Sequence, residues 1–239
     1  MSFRERLDRR VEAMARADGA RAFRFPAAIT RRTLERADYF ASFPATAIEA
    51  PGTQRRDMLT PAACYHWYAA LAGTRLTGPT IATCVCTCAR HEPSGYDAGR
   101  LRSFTMREIV FAGDERWVAA ERERWQARMV DLARSERIGV RVERATDPFF
   151  GSVGRGRVLL QQLKELKREL RAPFADGSLA IGSSNLHEQF FGQRFDIRLP
   201  SGMPAHTGCV AIGLERWEMA ADFALRRSAF GVPSCTDDL

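Results

Sequence analysis

The sequence predicts an α+β fold in which a mainly antiparallel sheet is flanked by helices. Its 239 residues are 45% apolar and 27% charged, which is enough to bury one core without disulfide staples. Two neighbouring stretches, 81–92 and 104–110, have the two-residue period of strands, and a turn-rich loop joins them. Two further stretches, 114–134 and 214–225, place their apolar residues on one helical stripe.

The charge and composition of the chain restrict the kinds of partner and location that the protein can have. The net charge is +7, and Lys164 and Lys167 are the only lysines among 36 basic residues. A positive excess favours a polyanionic partner, either nucleic acid or an acidic protein. No apolar run approaches roughly 20 residues, and the N-terminus lacks the apolar segment of a signal peptide. We expect a soluble, cytoplasmic protein without a membrane partner, whose six cysteines are reduced.

The N-terminal quarter predicts three helices. Residues 2–18 form an amphipathic pattern, and 31–39 form a second helical stretch. Thr60 is predicted as an N-cap with Pro61 at the first helical position. This third helix would carry Cys64 in its first turn.

The next segment predicts a hairpin with polar chemistry on one face. A strand from Thr80 carries Cys84, Cys86, Cys88, Arg90 and Glu92 on one side. After the loop at 93–99, a second strand aligns Phe104, Met106, Glu108 and Val110. Arg90, Glu92, Phe104 and Glu108 are therefore expected to line one surface.

The remaining elements alternate between helix and strand. Residues 114–134 predict a helix with Arg122 outside its apolar stripe, and strands are predicted at 138–143 and 195–199. For 158–170, both a helix and a strand fit the pattern. A strand through Val210 and a helix beginning after Gly213 complete the chain.

Two motifs carry most of the chemistry. Arg90-His91-Glu92 on a strand, followed by Arg100 and Phe104, has the layout of motif 2 of class II aminoacyl-tRNA synthetases. An arginine suits a phosphate, a carboxylate suits an adenine amino group, and a phenyl ring suits stacking on a base. The run Gly213-Leu214-Glu215-Arg216 after a strand resembles motif 3 of the same class.

The stretch between these motifs strengthens the resemblance. From about residue 22 to 225 the chain resembles the catalytic core of zinc-dependent seryl-tRNA synthetases and their truncated relatives, the amino acid:[carrier protein] ligases. The segments that carry it are LTPAACYHWY (59–68), RHE (90–92), RLRSFTMREIV (100–110), TDPFFG (146–151), SSNLHEQFFG (183–192) and AHTGCVAIGLERW (205–217). This implies a catalytic domain over 22–239, preceded by a helical extension over 1–21.

The resemblance also implies roles for individual residues. Cys64, Glu108 and Cys209 fall where the family's zinc ligands lie, and three protein ligands leave a coordination position open for the substrate's amino group. Cys64, Glu108, Asn185 and Cys209 are thus the implied amino acid site. The catalytic phosphate-binding arginines are Arg90 and Arg216; the other ATP-binding residues are Glu92, Phe104 and Arg100. The segment YFASFP (39–44) resembles the motif 1 of a homodimer interface.

The implied reaction has two steps. Mg²⁺-ATP and zinc would activate a small amino acid (glycine, alanine or a pathway-specific analogue) as an aminoacyl adenylate. The aminoacyl group would then pass to the phosphopantetheine thiol of an acidic holo-carrier protein. Only about twenty residues precede the core resemblance, too few for a tRNA-binding arm, so tRNA is not the expected partner. The alternatives are aminoacylation of tRNA or a small molecule, and a non-catalytic paralogue that acts as a binding or regulatory subunit.

The cysteines of the first strand and His187 each allow more than one interpretation. Cys84, Cys86 and Cys88 with His91 could form a metal site, but alternate strand positions project in parallel, so packed thiols are expected. His187 could be catalytic or merely hydrogen-bonded. Gly208 stands where the family commonly has alanine. A carrier-protein docking surface is predicted among Arg155, Arg157, Lys164, Lys167, Arg168 and Arg171.

Overall fold

The computed structural model describes residues 1–43, 45–52, 57–92, 95–97, 99–145, 165–175 and 177–229. Within these ranges the helices are α1 (Phe3–Ala17), α2 (Arg31–Arg36), α3 (Tyr39–Ser42), α4 (Cys64–Ala70), α5 (Glu115–Ser135), α6 (Phe190–Phe195) and α7 (Leu214–Ala229). The strands are β1 (Arg21–Arg24), β2 (Ala28–Ile29), β3 (Met58–Leu59), β4 (Thr80–Ala89), β5 (Ser103–Gly113), β6 (Arg141–Arg144), β7 (Lys167–Phe174), β8 (Gly177–Glu188) and β9 (His206–Gly213). No helix in the described ranges is both long and apolar enough to cross a membrane.

One seven-stranded sheet organises the chain in the order β1-β4-β5-β9-β8-β7-β6. β1 pairs with β4 in parallel, and every other neighbour in this sheet is antiparallel. β2 and β3 form a separate two-stranded ribbon. The predicted α+β class with a mainly antiparallel sheet is therefore confirmed.

The two faces of the sheet carry different layers. Alternate residues of β5 divide between them, because successive side chains of a strand point to opposite faces. Ile109 and Phe111 join α1, α5 and α7 in one apolar core. Val110 and Ala112 join α2, α3, α4 and α6 in a second core. The second face also carries the cavity described below.

Most predicted elements are present, with boundary differences that have local causes. The stretch 31–39 divides into α2 and α3 because Asp38 adopts a left-handed conformation with φ of +56°. The strand predicted at 138–143 begins three residues later, as β6. For 158–170, where both a helix and a strand fit the sequence, the structure shows a strand, β7, from Lys167 onward. Residues 146–164 lie outside the described ranges.

Three predictions were wrong. Thr60 does not cap a helix: its N–H donates to Ala27 O, its Oγ1 lies 2.9 Å from His66 Nε2, and α4 begins only at Cys64. The strand predicted at 195–199 is absent from the described structure: α6 continues to Phe195, and beyond it Arg198 forms isolated bridges with Arg75 and Pro204. Arg122 was placed outside the apolar stripe, yet it is buried, and its guanidinium donates to Glu165 O at 2.7 Å.

A fully buried arginine attaches α1 to the sheet. The side chain of Arg107 on β5 is 0% exposed, and its guanidinium donates to Asp8 at 2.7 and 3.0 Å and to Glu12 at 3.0 Å. Thr83 Oγ1 accepts a further bond at 3.3 Å. Removing Asp8, which accepts two of these bonds, would leave a buried charge with fewer partners, which is costly.

The Glu12 contact predicts a pH-dependent cost of substitution. Hydrogen bonding from Arg16, then the charge of Arg107, lowers the pKa of Glu12. The resulting stabilisation is fully present above the usual glutamate pKa of about 4.5 and is lost as pH falls through the lowered value. We expect Glu12→Gln to reduce the free energy of unfolding by about 1 kcal/mol or less at neutral pH and by nothing at low pH. Urea titrations across this range measure it; an equal loss at both extremes would contradict the ionic origin.

The packing around Gly208 accounts for the glycine at this position, where the family commonly has alanine. Gly208 pairs with Phe111 across β5 and β9, and a Cβ at this position would overlap a ring carbon of Phe111 and lie 2.8 Å from Asn185 O. We expect Gly208→Ala to cost about 1–3 kcal/mol of unfolding free energy through overpacking. Gly139→Ala is the matched control, because a Cβ at Gly139 meets nothing within 4 Å. Chemical denaturation of both variants provides the comparison, and equal stability would show that β9 yields locally.

Candidate active site

One cavity of about 460 Å³ opens on the second face of the sheet. The residues just after β4, the first half of β5, the start of α4, and strands β7 to β9 surround it. Every site residue named from the sequence lines it: Cys64, Arg90, Glu92, Arg100, Phe104, Glu108, Asn185, Cys209 and Arg216. Residues far apart in the chain are thus brought together in one space.

Cys64, Glu108 and Cys209 form a buried cluster in the wall of this cavity. They come from α4, β5 and β9, and their potential ligand atoms lie within 4.8 Å of one another. Among the described residues, this is the one group of at least three histidine, cysteine or acidic side chains arranged in this way. Two sulfurs and a carboxylate oxygen form a donor set that suits zinc, and three protein ligands leave an open position.

Glu108 connects the metal-type cluster to the start of α4. Its Oε1 accepts hydrogen bonds from the Ala63 N–H at 2.7 Å and the Cys64 N–H at 3.3 Å. These are unpaired N–H groups of a helix start, so a carboxylate from a distant strand serves in place of a local cap. This explains why α4 begins at Cys64 and not near Thr60.

The cluster brings acidic groups close together in a buried environment. Burial raises the pKa of Glu108, and a hydrogen bond with Cys209, burial and the charge of Glu108 raise the pKa of Cys64. Buried anions of this kind need a compensating cation or a proton. The residues therefore fit a divalent metal both in donor type and in charge.

Two polar side chains from β8 contact the same cluster. Asn185 Nδ2 donates to Ser183 Oγ at 3.1 Å and to Cys209 Sγ at 3.3 Å. Its Oδ1 is buried and has no hydrogen-bond partner in the described part of the chain. His187 lies beside Cys209, and burial lowers the pKa of His187 to about 3, so the imidazole is neutral at physiological pH.

Two arginines, Arg90 and Arg216, line the same cavity. Arg90 Nε donates to Pro61 O at 2.8 Å, and its guanidinium lies 5.3 Å from the centre of the Phe104 ring. Arg216 donates to Gly99 O and to Ala180 O, both at 2.8 Å. Burial and the positive charge of Arg90 lower the pKa of Arg216. Two guanidiniums held by neutral carbonyls near each other form a site for a polyanion such as a phosphate chain.

Glu92 and Arg100 lie on the more open side. Glu92 lines the cavity and exerts an attractive charge on Arg216. Arg100 is half-exposed, and its Nη1 lies 3.7 Å from Asp97 Oδ2. Both side chains can therefore reach a ligand that extends toward solvent.

Sequence comparison identifies the family. An amino acid–[acyl-carrier-protein] ligase 1 of Bradyrhizobium diazoefficiens is 36% identical over 231 residues, covering 84% of this chain and 71% of that protein. Ligase 2 of the same organism is 35% identical over 229 residues, covering 82% and 67%. The chain belongs to the amino acid–[acyl-carrier-protein] ligase family. No general family model matches it.

Solved structures share the fold of this ligase family member. M. kandleri SerRS, crystallised with A. aeolicus tRNASec, is 17% identical with a TM-score of 0.76; the match covers 99% of this chain and 57% of that one. Seryl-tRNA synthetase from Pyrococcus horikoshii, complexed with ATP, is 18% identical with a TM-score of 0.74, covering 92% and 51%. The class II synthetase fold expected from motifs 2 and 3 is therefore confirmed.

Sequence reasoning missed several residues that line the cavity. Tyr39 and Phe43 from the motif 1 segment lie there, and Tyr39 Oη is 2.7 Å from Thr46 Oγ1. Lys167 and Glu169 of β7 also line the cavity and form an ion pair at 3.2 Å. Their two-residue spacing on a strand was a usable signal, but the segment could not be distinguished from a helix.

The structure also describes part of the predicted docking surface and the three cysteines of β4. Lys167 faces the cavity, and Arg168 and Arg171 pair with Glu165 at 2.9 Å and Glu169 at 2.7 Å, so these three do not form a free basic surface. The other members, Arg155, Arg157 and Lys164, lie outside the described residues, as do residues 146–151. Cys84, Cys86 and Cys88 are buried free thiols, as packed thiols should be.

Proposed function

We propose that this ligase activates a small amino acid with ATP as an aminoacyl adenylate and transfers it to the phosphopantetheine thiol of an acyl carrier protein. The observation that carries the proposal is that Arg90, Arg216 and the Cys64-Glu108-Cys209 cluster line one cavity. The arginines suit phosphates, and the cluster suits a metal-bound amine. An amino acid placed between them would present its carboxylate to ATP.

Cys64, Glu108 and Cys209 would hold zinc. When bound, zinc supplies a Lewis acid with an open position that selects the substrate's free amino group. The Glu108 carboxylate is already oriented by the Ala63 and Cys64 N–H groups, which supports a site formed before metal enters.

The arginines would support the chemical step by charge and position. In that step a carboxylate oxygen of the amino acid attacks the α-phosphorus of ATP, and pyrophosphate leaves. Arg90 and Arg216 would stabilise negative charge on the phosphates, with Mg²⁺ assisting, and Arg100 would contact the terminal phosphates. Phe104 and Glu92 would hold adenine by stacking and by hydrogen bonding. No protein nucleophile is needed.

The acceptor and assembly follow from the same proposal. In the second step the carrier thiol attacks the carbonyl carbon of the adenylate, and AMP leaves. The net charge of +7 supports an acidic carrier protein as the partner. The cavity of about 460 Å³ must hold nucleotide and amino acid together, which supports a small substrate such as glycine or alanine. We further propose a cytoplasmic homodimer.

Amino-acid-dependent exchange of pyrophosphate into ATP tests the first half-reaction. Zinc-loaded protein would be assayed with glycine, alanine, serine and non-proteinogenic amino acids. Exchange that depends on one amino acid is the expected result, and its absence for the whole panel in folded, metal-loaded protein would contradict the proposal. The second half-reaction is tested with holo-carrier protein against the same carrier without phosphopantetheine and against tRNA; only the holo-carrier should be acylated.

A further inference from the structure

His187 lies where β8 passes Cys209, and no step proposed above uses it. The residue is 3% exposed and lines the cavity. Two aromatic rings contact its imidazole edge to face: Tyr68 at 5.6 Å and Phe191 at 4.9 Å between ring centres. Tyr68 and Phe191 stack on each other at 4.6 Å, so the imidazole lies against a rigid aromatic wall.

The two imidazole nitrogens have different neighbours. Nε2 lies 3.7 Å from Cys209 Sγ, whereas Nδ1 lies 3.3 Å from Thr207 Oγ1 and 3.4 Å from Tyr68 Oη. The Tyr68 hydroxyl donates its proton to Gly208 O at 2.7 Å. The Thr207 hydroxyl can therefore donate to Nδ1. An imidazole that accepts at Nδ1 carries its proton on Nε2, where it faces the sulfur.

Cys209 then receives two N–H donors from one strand. Asn185 Nδ2 is 3.3 Å from the sulfur on one side, and His187 Nε2 is the second donor. A metal-bound cysteine is a thiolate, and N–H groups directed at its sulfur fix its orientation and moderate its charge. The other sulfur, that of Cys64, has Cys209 and the Glu108 carboxylate as its neighbours.

We propose that His187 is a positioning residue that orients the Cys209 thiolate for metal binding through its Nε2–H group. The inference rests on the proposed zinc site. His187 does not touch the metal or the substrate in this role; it acts through Cys209. The aromatic wall and Thr207 hold the imidazole so that the N–H is directed at sulfur before metal arrives.

Metal affinity tests this role independently of catalysis. The variants are His187→Phe, which keeps a planar ring but removes the N–H, and His187→Gln, which keeps an N–H donor. His206→Gln is the matched control, because it changes a histidine three residues from Cys209 that does not line the cavity. Zinc affinity is measured by competition with a chromogenic chelator, and thiolate-to-metal charge transfer is recorded on Co²⁺-substituted protein. Circular dichroism confirms folding.

The expected results separate this inference from the zinc proposal. His187→Phe should weaken zinc binding by about 10–100-fold and shift the Co²⁺ charge-transfer band, whereas His187→Gln and His206→Gln should stay near wild type. Wild-type affinity and spectrum in His187→Phe would overturn the positioning role alone. If His187→Phe does not fold, His187→Gln is the deciding variant. A zinc affinity of His187→Gln as weak as that of Cys209→Ser would overturn the positioning role. Wild-type protein that binds no zinc would overturn the metal proposal itself.

Discussion

Replacing Cys209 by serine is expected to abolish stoichiometric zinc and to reduce pyrophosphate exchange by at least about 100-fold. A hydroxyl in place of the thiolate removes one of only three protein ligands and leaves Glu108 and Cys64 as buried groups without their cation. The measurement is metal content per chain by mass spectrometry, together with exchange under saturating ATP and amino acid. Wild type should hold close to one zinc per chain.

The control for this substitution lies on β4, which β5 separates from β9 in the sheet. Cys86 is buried as well, but its Sγ lies 3.1 Å from Pro26 O and does not line the cavity. Cys86→Ser should therefore keep both zinc and exchange activity. Retention of full zinc by Cys209→Ser, or loss of zinc in Cys86→Ser alone, would show that the metal is held elsewhere.

Arg216→Ala should lower the rate of pyrophosphate exchange by about 10²–10³-fold. The guanidinium is oriented by two carbonyl oxygens, so its charge is in place before the phosphates bind, and preorganised charge of this kind contributes most in the transition state. Arg216→Lys should not restore the rate fully, because an ammonium group cannot reproduce the planar donor fork. Steady-state exchange over a range of ATP concentrations separates binding from rate.

Arg226 provides the comparison for the arginine variant. It lies on the same helix, α7, but is exposed and outside the cavity. Arg226→Ala should leave exchange unchanged. An Arg216→Ala enzyme with a normal rate and only weaker ATP binding would mean that Arg216 binds the ground state and transition state equally.

Local patterns predicted the parts of the fold in which one face of an element is buried. β4, β5, α5 and β9 were found because apolar residues recur at strand or helix spacing, and burial of one face requires that spacing. The start of α4 could not be found in this way. Its cap is Glu108, which lies 44 residues from Cys64, so the decisive contact is not local in sequence.

The candidate site likewise contains residues that local patterns predict and residues that depend on long-range contacts. The residues on motifs 2 and 3 were named from the sequence because spacing and chemistry coincide there. Neither Lys167 nor Glu169 was predicted to line the cavity, since no motif marks them there and they reach it only through strand register. Lys167 pairs with Asn185, which pairs with Cys209, so three consecutive strands align these residues in one row. Register of that kind depends on the whole sheet.

The neighbouring residues Arg107 and Glu108 connect the N-terminal helix to the site. They point to opposite sides of β5, one toward Asp8 and Glu12 and the other toward Cys64. Detachment of α1 would leave the buried Arg107 guanidinium without its carboxylate partners. Arg107 lies in β5, the strand that also supplies the proposed metal ligand Glu108. Local opening of α1 and loss of ligand geometry should therefore belong to one cooperative unit in amide hydrogen exchange. An affinity tag or fusion that distorts the first turns of the chain would then act as a distant inhibitor of metal loading.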